Sequence, residues 1–164
     1  MIALLSPAKT LDYASPLPPV DATEPRFGEE ASRMAGAAAK LGPKKLAALM
    51  HISDKLATLN ADRYKGFDAQ PERPALYAFA GDVYHGLEAR TLDEPAVAFA
   101  QDHVRILSGL YGLLRPLDNI RPYRLEMGTP WAPGRKKDLY DYWGDRLGKL
   151  LGDELAEAGD DTIL

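Results

Sequence analysis

"ILSGLYGLLRPLDNIRPYRLEMGT", residues 106–129, is the stretch on which the reading of the fold turns. Leu107, Leu110, Leu113 and Leu114 belong in a core, whereas Arg115, Arg121 and Arg124 do not. Pro116 and Pro122 rule out one continuous helix, and Gly109 and Gly112 interrupt any long strand. The segment therefore reads as strand-like chain broken at its glycines and prolines.

Outward from it, helices and strands mix without regular alternation. On its N-terminal side "EPAVAFAQDHV" (94–104) reads as a helix and "ALYAFAG" (75–81) as a strand. "MIALL" is a buried first strand stopped at Ser6-Pro7, which delivers "SPAKTLDY" to a loop. Residues 27–41 are Ala-rich with Glu29 and Glu30 in the first turn, and Gly42 closes that helix. Pro43 opens a second helix, "PKKLAALM", and Ser53 caps a third, "DKLATLNADRYKGF". On the C-terminal side "DLYDYWGDRLGKLLGDELAEAG" reads as one helix with an acidic face. The final "TIL" reads as a strand cut at its start. This order predicts an α+β fold, a single domain over 1–164 with a mixed sheet.

The 164 residues are 46% hydrophobic, enough for a core, and contain no cysteine. That excludes disulfides, a thiolate nucleophile and thiolate metal sites. With no basic leader and no long apolar run, the expectation is a soluble cytoplasmic protein without membrane contact. The net charge of −4 opposes bulk attraction to nucleic acid, but the charge is segregated. Residues 40–66 hold six Lys/Arg against two Asp, and residues 104–125 four Arg against one Asp. Residues 67–103 and 138–161 are correspondingly acidic. Such segregation can build a local positive cleft on an acidic protein, or merely solvate helix faces.

Three places carry candidate chemistry. In "LAALMHISDKLATL" (46–59), Leu46, Leu49, Ile52, Leu56, Ala57 and Leu59 take the apolar and small positions of a helix-hairpin-helix, placed at about 43–66. Hairpin amides at His51, Ile52 and Ser53 and the helix N-terminus that follows could hold a phosphate, with Lys55 and Arg63 adding charge. His51 and Ser53 stand where such hairpins usually carry glycine, so the left-handed backbone is harder to reach. An ordinary helical pair packing its leucines is the competing reading. Lys9 follows a strand on a loop, suited to phosphate or, with a depressed pKa, to amine catalysis. Asp82 caps a helical turn, is a weak catalytic candidate, or shares a metal with His85 and one of Asp102, His103 or Glu126. No phosphate-binding or dinucleotide-binding glycine loop and no nucleophile elbow occurs, so no cofactor is expected.

Five strings taken together, "LLSPAKTLDY", "ISDKLATLNADRY", "FAGDVYHGL", "RILSGLYGLLRPLDNIRPYRLEMGT" and "LYDYWGDRL", resemble the peroxide stress protein YaaA family in the same order. The resemblance runs from Met1 to about Leu164 and looks like the N-terminal part of a longer family fold. It implies a cytoplasmic bacterial protein that limits peroxide damage and free iron, and DNA binding through a helix-hairpin-helix and a positive cleft. On that reading the four leucines anchor the 106–129 stretch in the core. Arg115, Arg121 and Arg124 project into the cleft to grip phosphates, and Glu126 pairs with one of them. The DNA partner would be recognised by structure rather than base sequence. The alternatives are an enzyme acting on a nucleobase, with Lys9 or Asp82 catalytic, and a direct iron-binding protein.

Overall fold

The computed structural model describes residues 1–164. In chain order the elements begin with β1 (Ala3–Leu5), α1 (Gly28–Ala39), α2 (Gly42–Met50) and α3 (Asp54–Lys65). β2 (Arg73–Pro74), α4 (Ala75–Ala78), α5 (Asp82–Leu87) and α6 (Glu94–His103) follow. Then come β3 (Val104–Ser108), β4 (Gly112–Leu114), β5 (Asn119–Ile120), α7 (Leu139–Trp143) and α8 (Arg146–Glu157). β1 pairs parallel with β3, and β3 antiparallel with β4, which makes the mixed sheet expected of an α+β fold. The short β2–β5 ladder is antiparallel. The terminal "TIL" does lie in strand register, parallel to β1: Ile2 N donates to Thr162 O and Leu4 N to Leu164 O, both at 2.9 Å.

The sheet separates two apolar layers. One face carries Ile106 and Leu114 into the main core, against α1, α3 and the aromatic side chains of Tyr111, Tyr123 and Trp143. Ala31, Met34, Ala35 and Ala38 form the inner stripe of α1, and Ala57, Ala61 and Tyr64 that of α3. Their spacing of three and four is the helical period, and the small alanines let the two helices come close. The other face is covered by α8, whose Leu151 and Leu155 pack on Ile2 and Leu113.

Period-two alternation along β3 corrects one expectation. Ile106 and Ser108 face the main core, so Arg105 and Leu107 must face the other way. Leu107 lies outside the main core and is 37% exposed rather than buried. Arg105 meets Glu154 of α8: Arg105 Nε donates at 2.8 Å, and Arg26 pairs with the same carboxylate from the opposite side.

Two further expectations fail for physical reasons. Residues 75–81 were expected as a strand, yet Phe79 N donates to Ala75 O and closes a helical turn. Every residue from 75 to 79 is buried, so the segment has no polar alternation to separate buried helix from buried strand. The helix expected over 138–159 is split at Gly144, whose φ is +54°. Trp143 Nε1 donates to Gly109 O at 3.0 Å, which anchors α7 on the β3–β4 turn before α8 restarts along the sheet.

Candidate nucleic-acid interface

α2 and α3 are joined by three residues, and the turn is made by His51, which adopts the left-handed conformation at φ 51°, ψ 48°. Histidine tolerates that region better than most non-glycine residues. The Ile52 amide folds back on Ala47 O at 3.2 Å, and Ile52 packs against the core. Ser53 caps α3 as expected, its hydroxyl accepting from Leu56 N at 3.4 Å. The opening amides of α3 thus face solvent between exposed His51, Ser53 and Lys55, at the positive end of a 12-residue helix. Lys44, Lys45 and Lys65 are exposed on the same pair of helices.

Not every hairpin position behaves as its pattern suggests. Leu56 and Leu59 are 39% and 44% exposed, because the inner face of α3 runs through Ala57, Asn60, Ala61 and Tyr64 instead. Arg63 is half-buried and its guanidinium donates to Asn60 Oδ1 at 3.4 Å. It is less free to meet a ligand than Lys55.

The three arginines of the 106–129 stretch do not share one cleft. Arg115 is held by Asp118, which is fully buried, through its Nε at 3.0 Å and Nη2 at 2.8 Å, and it also donates to Glu24 O. It serves the fold. Arg121 lines a broad open groove of about 900 Å³ with Arg26 and Arg33, but Glu24, Glu29, Glu30 and Glu72 line it too. Arg121 Nη2 pairs with Glu72 at 2.6 Å. Arg124 lines a different, more apolar pocket of about 370 Å³. The chain between Arg121 and Arg124 is neither helix nor strand, and the two side chains enter separate concavities.

Lys9 belongs to that second pocket. Its floor and walls are Ser6–Lys9, Leu107, residues 123–127 and Tyr140 of α7. Leu11 bridges to Phe79, Ala80 N donates to Thr10 O, and Tyr84 OH donates to Ser6 O at 2.8 Å, so the "FAGDVYHGL" string holds the lysine loop in place. Tyr64 OH of α3 donates to Arg124 O at 2.5 Å, and Tyr123 OH is bonded to Ser108 Oγ at 2.6 Å. Burial pushes both phenols far above their usual pKa, so they stay neutral and act as fixed hydrogen-bonding props. Gly109 packs so tightly here that an added Cβ would sit 2.5 Å from Leu125 O, which fixes the pocket wall against the β3–β4 turn. Glu126 accepts from Arg124 Nη2 and forms an ion pair with Lys9 Nζ, each at 3.4 Å.

Asp82 stands exposed in the first turn of α5 after Gly81, and its side chain makes no capping hydrogen bond. It lines neither concavity. Asp82, His85, Asp102, His103 and Glu126 do not gather: no three His, Asp or Glu side chains converge where they could hold a metal ion. His103 lies against the Phe99 ring, and its Nδ1 meets Met1 O at 2.9 Å.

A family model described as peroxide stress protein YaaA matches residues 1–164, the whole length over which the loop, hairpin and pocket strings occur. The chain belongs to the peroxide stress protein YaaA family. It is 70% identical over 164 residues to a UPF0246 protein of Rhizorhabdus wittichii, covering 100% of this chain and 65% of that protein. It is 49% identical over 168 residues to a UPF0246 protein of Idiomarina loihiensis and 48% identical over 168 to one of Saccharophagus degradans. All of this chain is covered in both, against 65% and 66% of those relatives. The chain thus spans about 65% of the length of these YaaA-family relatives. No helix in it is long and apolar enough to cross a membrane.

Sequence reasoning missed Tyr140, 66% exposed at the pocket rim, and Glu72, the partner of Arg121. Tyr140 carried one signal: it follows buried Leu139 and precedes buried Trp143, so helical spacing leaves it on the outer face.

Proposed function

We propose that this chain is a cytoplasmic DNA-binding part of a peroxide-stress protein, which holds phosphate backbone through α2, the His51–Ser53 turn and α3. The observation that carries the reading is the left-handed His51, which supplies the hairpin geometry without glycine and turns the open amides of α3 outward beside Lys55. The family description supports the peroxide setting. Phosphate binding at a helix N-terminus carries no base information, so recognition is of DNA structure rather than sequence. Holding DNA in this way would limit its oxidative damage. Restraint of free iron rests on the family resemblance alone.

A pair of variants tests the hairpin. Ser53 has φ −63°, which proline also adopts, so Ser53→Pro removes the amide donor with little distortion of the turn. Ser53→Gly loses the capping hydroxyl but keeps the amide, at a cost of only a few tenths of a kcal/mol in stability. In gel-shift titrations Ser53→Gly should match or exceed the parent affinity for duplex DNA, whereas Ser53→Pro should fall below it. Equal affinities for the two variants would move the phosphate site away from the hairpin.

A second reading, chemistry on a nucleobase, draws on Lys9 alone, since Asp82 stands apart from the pocket. Borohydride trapping of a covalent adduct between the Lys9 amine and DNA tests it, and absence of the adduct removes it.

A further inference from the structure

The pocket between the Lys9 loop and residues 123–127 combines features that neither a phosphate cradle nor an apolar crevice needs alone. Two cations, Lys9 and Arg124, share the single carboxylate of Glu126, which leaves one positive charge in excess. Arg124 Nε is buried with no acceptor, so that guanidinium is short of partners. The same pocket is lined by Leu107, Met127 and the ring of Tyr140, none of them buried. At about 370 Å³ the pocket falls among small-molecule sites.

From this juxtaposition we infer that the pocket receives one unpaired nucleotide of DNA, with its phosphate on Lys9 and Arg124 and its base against Leu107, Met127 and Tyr140. The inference rests on the DNA-binding reading and deepens it. Cations answer the phosphate, the apolar and aromatic side chains answer the base, and in DNA each nucleotide carries both together. A base held in a duplex cannot reach such a pocket until it leaves the stack, and leaving costs least at a bulge or in a single strand. The hydrogen bond from Tyr64 to Arg124 O places the pocket at the far end of α3 from the hairpin. At 1.5 Å per residue the two ends are roughly 16 Å apart, within reach of a single DNA segment. Glu126 faces the same space and accepts only, so bases that present N–H groups suit it best.

The test uses two DNA duplexes, one fully paired and one with a single bulged 2-aminopurine, titrated at one salt concentration. The chain should bind the bulged duplex about tenfold or more tighter and alter the 2-aminopurine fluorescence. Tyr140→Ala removes an exposed ring and should reduce the bulged-to-paired affinity ratio about fivefold or more. Lys9→Ala should reduce the same ratio, and Ser53→Pro should weaken both duplexes alike and leave the ratio standing. A ratio near one in the parent chain, or one that survives Tyr140→Ala and Lys9→Ala together, overturns the inference while the hairpin reading stands. If neither duplex binds, the hairpin reading fails. Deoxyguanosine monophosphate titrated calorimetrically then decides the pocket: binding lost in Tyr140→Ala supports it, and no heat at millimolar nucleotide overturns it.

Discussion

Glu154→Ala should destabilise the chain by about 3–5 kcal/mol, the usual cost of stranding buried charge. Glu154 is the only carboxylate paired with both Arg105 and Arg26, and the Arg105 side chain is 8% exposed. Arg26 Nε is already buried without an acceptor. Burial, followed by repulsion from Arg105, pulls the Arg26 pKa down to about 10, still high enough to keep it charged at neutral pH. Removing the carboxylate leaves two like charges together without a paired anion, with Asp118 near but already held by Arg115. Arg105 would keep its bonds to the Gln101 and Val104 carbonyls, which neutralise no charge. In a chain of this size the change corresponds to a melting-temperature drop of roughly 6–20 °C. Glu154→Gln should fall between the two, because it retains an acceptor. A loss of under about 1 kcal/mol in Glu154→Ala would mean that water reaches the arginines and the pair behaves as a surface salt bridge.

Gly112→Ala should cost roughly 2–5 kcal/mol, from two causes that can be separated. Gly112 has φ +69°, where a Cβ costs about 1–2 kcal/mol. The added methyl would also lie 2.8 Å from Leu147 Cδ2 and 3.0 Å from both Phe27 and Trp143, and overpacking of that kind costs about 1–3 kcal/mol. Gly134 offers the comparison, with φ +74° and nothing within 4 Å of the same methyl. Gly134→Ala should therefore lose only the backbone part. Urea unfolding of both variants measures the difference, and equal losses would show that the Phe27–Trp143 cluster yields to the methyl.

How much of this was legible in the sequence depends on whether an element declares itself locally. Helix α1, the Pro43 start, the Ser53 cap and helix α6 are visible because their signals lie within one or two turns. The helical turn at residues 75–79 is not, since an entirely buried run has no face to alternate. Side-chain direction was the other blind spot. Leu107 shares its face with Arg105 by strand parity, and the irregular chain after β5 sends Arg121 and Arg124 into separate concavities. The first follows from elementary geometry once the strand limits are known, yet such limits are what a sequence fixes least well, and the second has no regular period to read. The Lys9–Arg124–Glu126 pocket joins residues more than a hundred positions apart, and no local pattern announces it.

The central claim is that the His51–Ser53 turn and the cations of α2 and α3 hold DNA by its phosphates, and the salt dependence of affinity tests it most directly. Titration of duplex DNA across a range of salt should give log affinity falling linearly with log salt, by about 0.9 for each phosphate neutralised. Exposed Lys44, Lys45, Lys55 and Lys65 supply the charges, so Lys55→Ala should make that slope shallower by about one phosphate. A flat salt dependence, or no binding at low salt, would contradict it.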